Sequence, residues 1–87
     1  MQNKKPVKNL AQIHPGEILL DEFLIPLRIS QVKLSKEACI NIEDLNELLR
    51  GNSHITDEIA DKLAEFFRTT PQFWLGLQSN YDSELLK

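Results

Sequence analysis

The side chains best suited to chemistry fall in one short stretch. Ile42, Glu43, Asn46, Glu47 and Arg50 share one side of a helix when placed at helical spacing. An amide, carboxylates, a guanidinium and a branched aliphatic are the groups that read base edges in the DNA major groove. Asn46 can pair in a bidentate manner with adenine, and Arg50 with guanine or a phosphate. Glu43 or Glu47 can accept from cytosine N4, and Ile42 can touch a thymine methyl. Asn52, Ser53 and His54 follow, with side chains and backbone amides able to donate to phosphate. The plainer readings are a solvated acidic face and a simple turn.

Other chemistries find no foothold. His14, His54 and Cys39 are the soft metal-ligand candidates, and they lack any close ligand spacing. His14 precedes a proline, so an extended, exposed position is expected for it. No Gly-rich phosphate loop or nucleophile–base pair is assembled by spacing. The expectation is a protein that is not an enzyme and holds neither metal nor cofactor.

The elements that must carry these side chains are helical. Pro15 suits a first turn, Glu17 complements the helix dipole, and Ile18, Leu19, Phe23 and Leu27 recur at helical spacing. Pro26 should end or kink that helix near Leu24. Ser30 is a good N-cap for a short helix with apolar positions Val32, Leu34 and Ala38. Cys39-Ile40-Asn41 interrupts it. Asn41 caps the next helix, with Asp44 placed to reach back as in a capping box, and Gly51 stops it. Its apolar positions are Ile42, Leu45, Leu48 and Leu49. Thr56 starts a fourth helix striped by Ile59, Leu63, Phe66 and Phe67. Thr70-Pro71 starts a fifth bearing Phe73, Trp74, Leu77, Tyr81 and Leu85. No segment alternates with period two. The fold class is therefore all-α, a compact domain of about five short helices.

From Ser30 to Leu48 the pattern describes a helix-turn-helix. Two steeply crossed helices need a small inward residue, which Ser35 or Ala38 supplies, and Ile40 plugs the turn. Cys39 falls where glycine is commonest, and a positive φ there costs roughly 1 kcal/mol. The second helix should enter the major groove by its N-terminal half. Its acidity opposes that: Glu43, Asp44 and Glu47 outnumber Arg50, and affinity for DNA rests largely on phosphate contacts. Lys33, Lys36 and Arg50, with Lys4, Lys5 and Lys8 near the start, must supply the positive charge.

Composition sets the remaining bounds. The 87 residues suffice for one domain, and 41% hydrophobic residues suffice for a core. Ten Lys and Arg against 13 Asp and Glu give a net charge of −3, which argues against a non-specific nucleic-acid binder. No apolar run is long enough for a bilayer, no secretory signal opens the sequence, and the one cysteine fits a reducing compartment. A cytoplasmic protein with no membrane partner is expected. Residues 1–12 read as a flexible basic arm and 13–87 as the folded domain.

The ordered run Ile13-His14-Pro15-Gly16-Glu17-Ile18-Leu19, Glu22-Phe23-Leu24, Pro26-Leu27 and Ile29-Ser30-Gln31 resembles the opening of HigA/VapI-type antitoxins. These are small helix-turn-helix proteins of the XRE, lambda-repressor-like class. The resemblance continues through Asn46-Glu47, Gly51, Ile55-Thr56, Leu63-Ala64, Phe66-Phe67, Thr70-Pro71-Gln72-Phe73-Trp74-Leu75 and Leu77-Gln78. It covers about residues 13–81.

The resemblance implies an antitoxin that neutralises a HigB-type ribonuclease toxin, binds operator DNA and represses the shared operon, usually as a homodimer. It places Gln31 beside the phosphate backbone. The expected DNA-contacting set is then Gln31, Lys33, Lys36, Asn41, Ile42, Glu43, Asn46, Glu47, Arg50, Asn52 and Ser53. Phe73, Trp74, Leu77 and Tyr81 are candidates for a dimer interface, with core packing as the plainer reading. Two alternatives stand beside this: a module that neutralises a toxin without touching DNA, and an unrelated phage-type repressor.

Overall fold

Side-chain caps set where the helices begin. In the computed structural model, which describes residues 13–86, Ser30 Oγ accepts from the Lys33 N–H at 3.0 Å. Thr56 Oγ1 accepts from Ile59 N–H and Thr70 Oγ1 from Phe73 N–H, each at 3.2 Å. Asn41 Oδ1 accepts from both Glu43 and Asp44 N–H, at 2.8 and 3.2 Å. Each cap satisfies an N–H that has no partner inside its own helix.

Five helices follow, with no strand among the described residues: α1 (15–27), α2 (Gln31–Ala38), α3 (Ile42–Leu49), α4 (Asp57–Phe67) and α5 (Pro71–Leu85). Three of their C-terminal ends turn on a left-handed residue: Arg28, Cys39 and Arg68, with φ of 57°, 58° and 61°. Cys39 thus takes the conformation expected of the turn, and Ile40 is buried behind it. Ser35 fastens the turn twice. Its carbonyl accepts from Ile40 N–H at 3.0 Å, and its hydroxyl donates to the Ile40 carbonyl. The expected basic arm, with Lys4, Lys5 and Lys8, lies outside the described residues.

Pro26 does not end α1. The helix opens as α over Pro15–Ile18, widens to a π-helix over Leu19–Leu24, and closes as α over Ile25–Leu27. Within it, Ile25 N–H bonds to the Leu20 carbonyl, five residues back. A proline ring clashes with the carbonyl four residues before it. The wider turn moves that carbonyl aside, so the helix absorbs the proline and ends at Leu27.

The core is built from one face of each helix. Leu19, Leu34, Leu45, Leu48, Leu63 and Trp74 are fully buried. Trp74 stacks obliquely on Phe23, with centroids 4.9 Å apart, and edge-on to Phe73 at 4.9 Å. Its indole N–H donates to Thr69 Oγ1 at 2.7 Å, so the ring is buried with its polar edge satisfied. Some expected apolar-face positions move outward, Leu85 at the end of α5 among them. Val32 and Leu27 are exposed, Leu24 taking the inward place expected of Leu27, and Ile42 stands at the rim of α3.

One contact fixes α1 against α3. A Cβ on Gly16 would lie 1.8 Å from the Leu48 carbonyl oxygen, so only glycine allows this approach. In an open helix, alanine would gain about 1 kcal/mol over glycine. Here overpacking, worth about 1–3 kcal/mol or more, decides the sign. Gly16→Ala is expected to lower the melting temperature by about 5–15 °C for a domain of this size, measured by circular dichroism. Cys39→Gly should act oppositely, raising stability by up to about 1 kcal/mol, because it relieves left-handed strain at a residue whose side chain is exposed.

Candidate nucleic-acid interface

The second helix of the motif, α3, is held at both ends and from behind. Leu45 and Leu48 insert into the core, which turns Glu43, Asp44, Glu47 and Arg50 outward. Asn46 is half-buried at the edge of that face, and Ile42 is 37% exposed. Gln31, Lys33 and Lys36 lie exposed along α2, which packs against α3. Asn41 is the N-cap, so its carbonyl oxygen is committed to the backbone and its amide NH2 remains to donate outward.

The acidity of α3 has a local cause. Glu43 and Asp44 occupy the first turn, where the positive end of the helix dipole stabilises carboxylates. Glu47 is held differently. Its carboxylate lies 3.8 Å from the Arg50 guanidinium and accepts from Asn52 Nδ2 at 3.3 Å. Three predicted contact residues therefore form one connected group. The ion pair is exposed and stabilises the fold little. Its consequence is orientation, since Arg50 and Asn52 are held on a common carboxylate.

The loop after α3 is anchored by α5 and α1. Gly51 takes φ +81° and ends the helix, as expected of it. Gln78 is buried on α5; its Oε1 accepts from Ile55 N–H at 2.8 Å and its Nε2 donates to Asp82 at 2.9 Å. The same amide approaches His54 Nδ1 at 3.4 Å. Ser53 is half-buried, whereas Asn52 and His54 are exposed.

Asn41, Glu47, Asn52 and Ser53 come together on the rim of an open groove of about 740 Å³ between α3 and α4. Lys62 lies in that groove. Its ammonium donates to the Cys39 carbonyl at 2.7 Å and pairs with Glu58 at 3.0 Å. A cation thus satisfies a carbonyl left over at the end of α2, and it ties α4 to the turn. Among the described residues no group of three His, Cys, Asp or Glu is placed to hold a metal, and no helix is long and apolar enough to cross a membrane.

The aromatic set divides. Trp74 has no exposed surface, so it is a core residue and cannot be offered to a second copy as expected. Phe73 is exposed, and Leu77 and Tyr81 are half-buried. Tyr81 stands edge-on to His14 with centroids 5.0 Å apart. His14 is extended, as its proline neighbour requires, but it is half-buried rather than exposed.

The sequence reading passed over Lys62, Gln78, His14 and Gly16 as positioning residues. For Gln78 a signal was present: it lies one turn after Trp74, so a polar side chain falls on the inward face of α5. Glu58 and Lys62 were readable as a pair one turn apart on a helix. The reach of Lys62 to Cys39 was not, because it is a tertiary contact.

No family model matches the chain. It is 37% identical over 76 residues to virulence-associated protein I of Dichelobacter nodosus, covering 87% of this chain and 70% of that protein. It is 42% identical over 67 residues to a helix-turn-helix-type transcriptional regulator of Haemophilus influenzae, covering 77% of this chain and only 63% of that protein. Among solved structures it is similar to the antitoxin HigA of Pseudomonas aeruginosa with the higBA promoter. That match has a TM-score of 0.83 and 37% identity, over 86% of this chain and 82% of the other.

Lys62→Met should keep the packed stem and lose the charge-assisted bond to Cys39. A destabilisation of about 1 kcal/mol is expected, reduced from the buried case by partial exposure, and a urea melt would measure it.

Proposed function

The chain belongs to the HigA/VapI-type family of helix-turn-helix antitoxins, and from that premise we propose that it binds operator DNA through α3, represses its own operon and neutralises a HigB-type ribonuclease toxin. The observation that carries this reading is the match to P. aeruginosa HigA, solved with the higBA promoter, over 86% of the chain. The described residues supply what such binding needs. An exposed α3 face carries an amide and a guanidinium, and a polar loop follows it. Gln31, Lys33 and Lys36 on α2 are candidates for phosphate, as are Asn52 and Ser53 in the loop after α3. Asn46 and Arg50 are the candidates for base edges, and Ile42 for a thymine methyl.

Glu43 and Glu47 are less suited to reading cytosine than their spacing promised. Glu47 already accepts from Asn52 and pairs with Arg50, and Glu43 serves the helix dipole. A homodimer is part of the proposal, because one recognition helix reads few base pairs and two would sit about 34 Å apart on DNA. Phe73, Leu77 and Tyr81 remain its candidate contacts; Trp74 does not. The second reading, a toxin-neutralising module without DNA binding, is favoured by one feature: three outward carboxylates on α3 face one guanidinium.

The test uses the duplex upstream of the chain's own reading frame, an unrelated duplex of equal length, and co-purification with the product of the adjacent frame. Specific binding is expected, with a shallow salt slope of roughly −2 to −4 per half-site, because few cations are available to phosphate. Arg50→Ala should weaken it by about 1–3 kcal/mol with thermal stability moving by no more than about 0.5 kcal/mol. No binding to either duplex, with toxin binding retained, would establish the second reading instead.

A further inference from the structure

Three elements meet at the ring of His14. Its Nδ1 accepts from the Gly16 N–H at 2.9 Å, so that nitrogen carries no proton. Ser53 lines the same small hollow as His14, and a hydrogen bond with its backbone favours a proton on the ring. Tyr81 of α5 stands edge-on to it. Gly51 packs beside it; a Cβ there would lie 3.7 Å from His14 Cγ. Gly16, held by this ring, is the residue pressed onto the Leu48 carbonyl at the end of α3.

We propose that His14 is a positioning residue for DNA recognition: its neutral ring caps the first turn of α1 and so holds Gly16 against the end of α3, and protonation at Nδ1 releases that contact. The inference rests on the DNA-binding reading above. It deepens that reading by assigning a role to a residue that reaches the interface only through Gly16 and Ser53. A proton at Nδ1 turns the acceptor into a donor facing another donor, the Gly16 N–H. The first turn of α1 then loses its cap, and nothing at His14 holds Gly16 in its close fit on Leu48.

The charged and titratable groups facing the ring are Glu17 on α1, His54 in the loop, and Tyr81 and Asp82 on α5. Burial lowers the His14 pKa below its ordinary 6.5, and the neighbouring His54 lowers it further. The Ser53 backbone hydrogen bond, Asp82 and Glu17 act the other way without reversing the shift. With the folded value below the unfolded one, the neutral ring contributes its full stabilisation above 6.5. That contribution is lost as pH falls through the lowered folded value.

The test compares the wild type with His14→Asn, whose side-chain oxygen can cap the same turn without titrating. Affinity for the upstream duplex is measured between about pH 7.5 and about pH 5.5, with circular dichroism confirming that both proteins stay folded. The wild type should lose about three- to tenfold in affinity over that range relative to His14→Asn. In the free wild type, the amide resonances of Gly16, Leu48 and Ser53 should shift together with the His14 ring, and in His14→Asn they should not. Identical pH profiles for the two proteins would overturn the proposal, as would Leu48 and Ser53 amides that ignore the titration. Absence of duplex binding at every pH in both proteins would overturn the DNA-binding reading instead, and the amide titration would then decide the positioning role by itself.

Discussion

The approach of Gly16 to the Leu48 carbonyl is the constraint on which the arrangement turns. A helix that carries side chains at its contact keeps its neighbour about 8–10 Å away axis to axis. Here one residue without a Cβ lets the backbone of α1 touch the backbone of α3. The contact falls at the end of α3, so it sets where that helix stops and where the polar loop begins. Gly51 then leaves the helix in a left-handed conformation, and its place beside the His14 ring brings Ser53 back to the start of α1. His14, Pro15 and Gly16 thus work as a unit: a cap, a first-turn proline and a close contact in consecutive residues.

This view also accounts for the acidity of α3. Net charge treats every carboxylate as equal, but the three on α3 have different partners. Glu43 and Asp44 lie over the positive end of the helix dipole. Glu47 is shared between Arg50 and Asn52. Part of the negative charge that would repel phosphate is already compensated locally. Compensation has a consequence for the role proposed for Arg50 as well: a guanidinium that reached DNA would have to leave or share Glu47. At an exposed pair worth well under 1 kcal/mol this is a small penalty, far below the value of a bidentate base contact.

Local signals carried most of the fold. The caps Ser30, Asn41, Thr56 and Thr70, the stop at Gly51 and the left-handed turn at Cys39 were each legible, because one residue type in one register satisfies them. What escaped were outcomes decided between elements. Pro26 signals a helix end on local grounds, yet a π turn absorbs it within a helix whose inward face is buried. Val32 is as apolar as Leu34, but only the facing helices decide which of them is inside. Trp74 could serve a core or an interface until the positions of Phe23 and Thr69 are known. Of the site, the outward face of α3 followed from spacing, whereas its fastenings at Lys62, Gln78 and His14 lie many residues away in the chain and leave no short-range pattern.

Those fastenings divide the molecule into a polar edge, the one proposed to meet DNA, and its brace. The turn at Cys39 is held by Lys62 of α4, the loop at Ile55 by Gln78 of α5, and the end of α3 by the first turn of α1. Each contact joins a backbone group at the edge to an element behind it, so the edge is positioned at three points rather than carried on a free loop. α5 has the longest reach in this scheme. Gln78 holds Ile55, and Tyr81 one turn on meets His14. Leu77 and Tyr81, candidates for contact with a second copy, flank Gln78 on the same helix. α5 therefore carries both the bond that holds the loop and the side chains proposed for contact with a second copy.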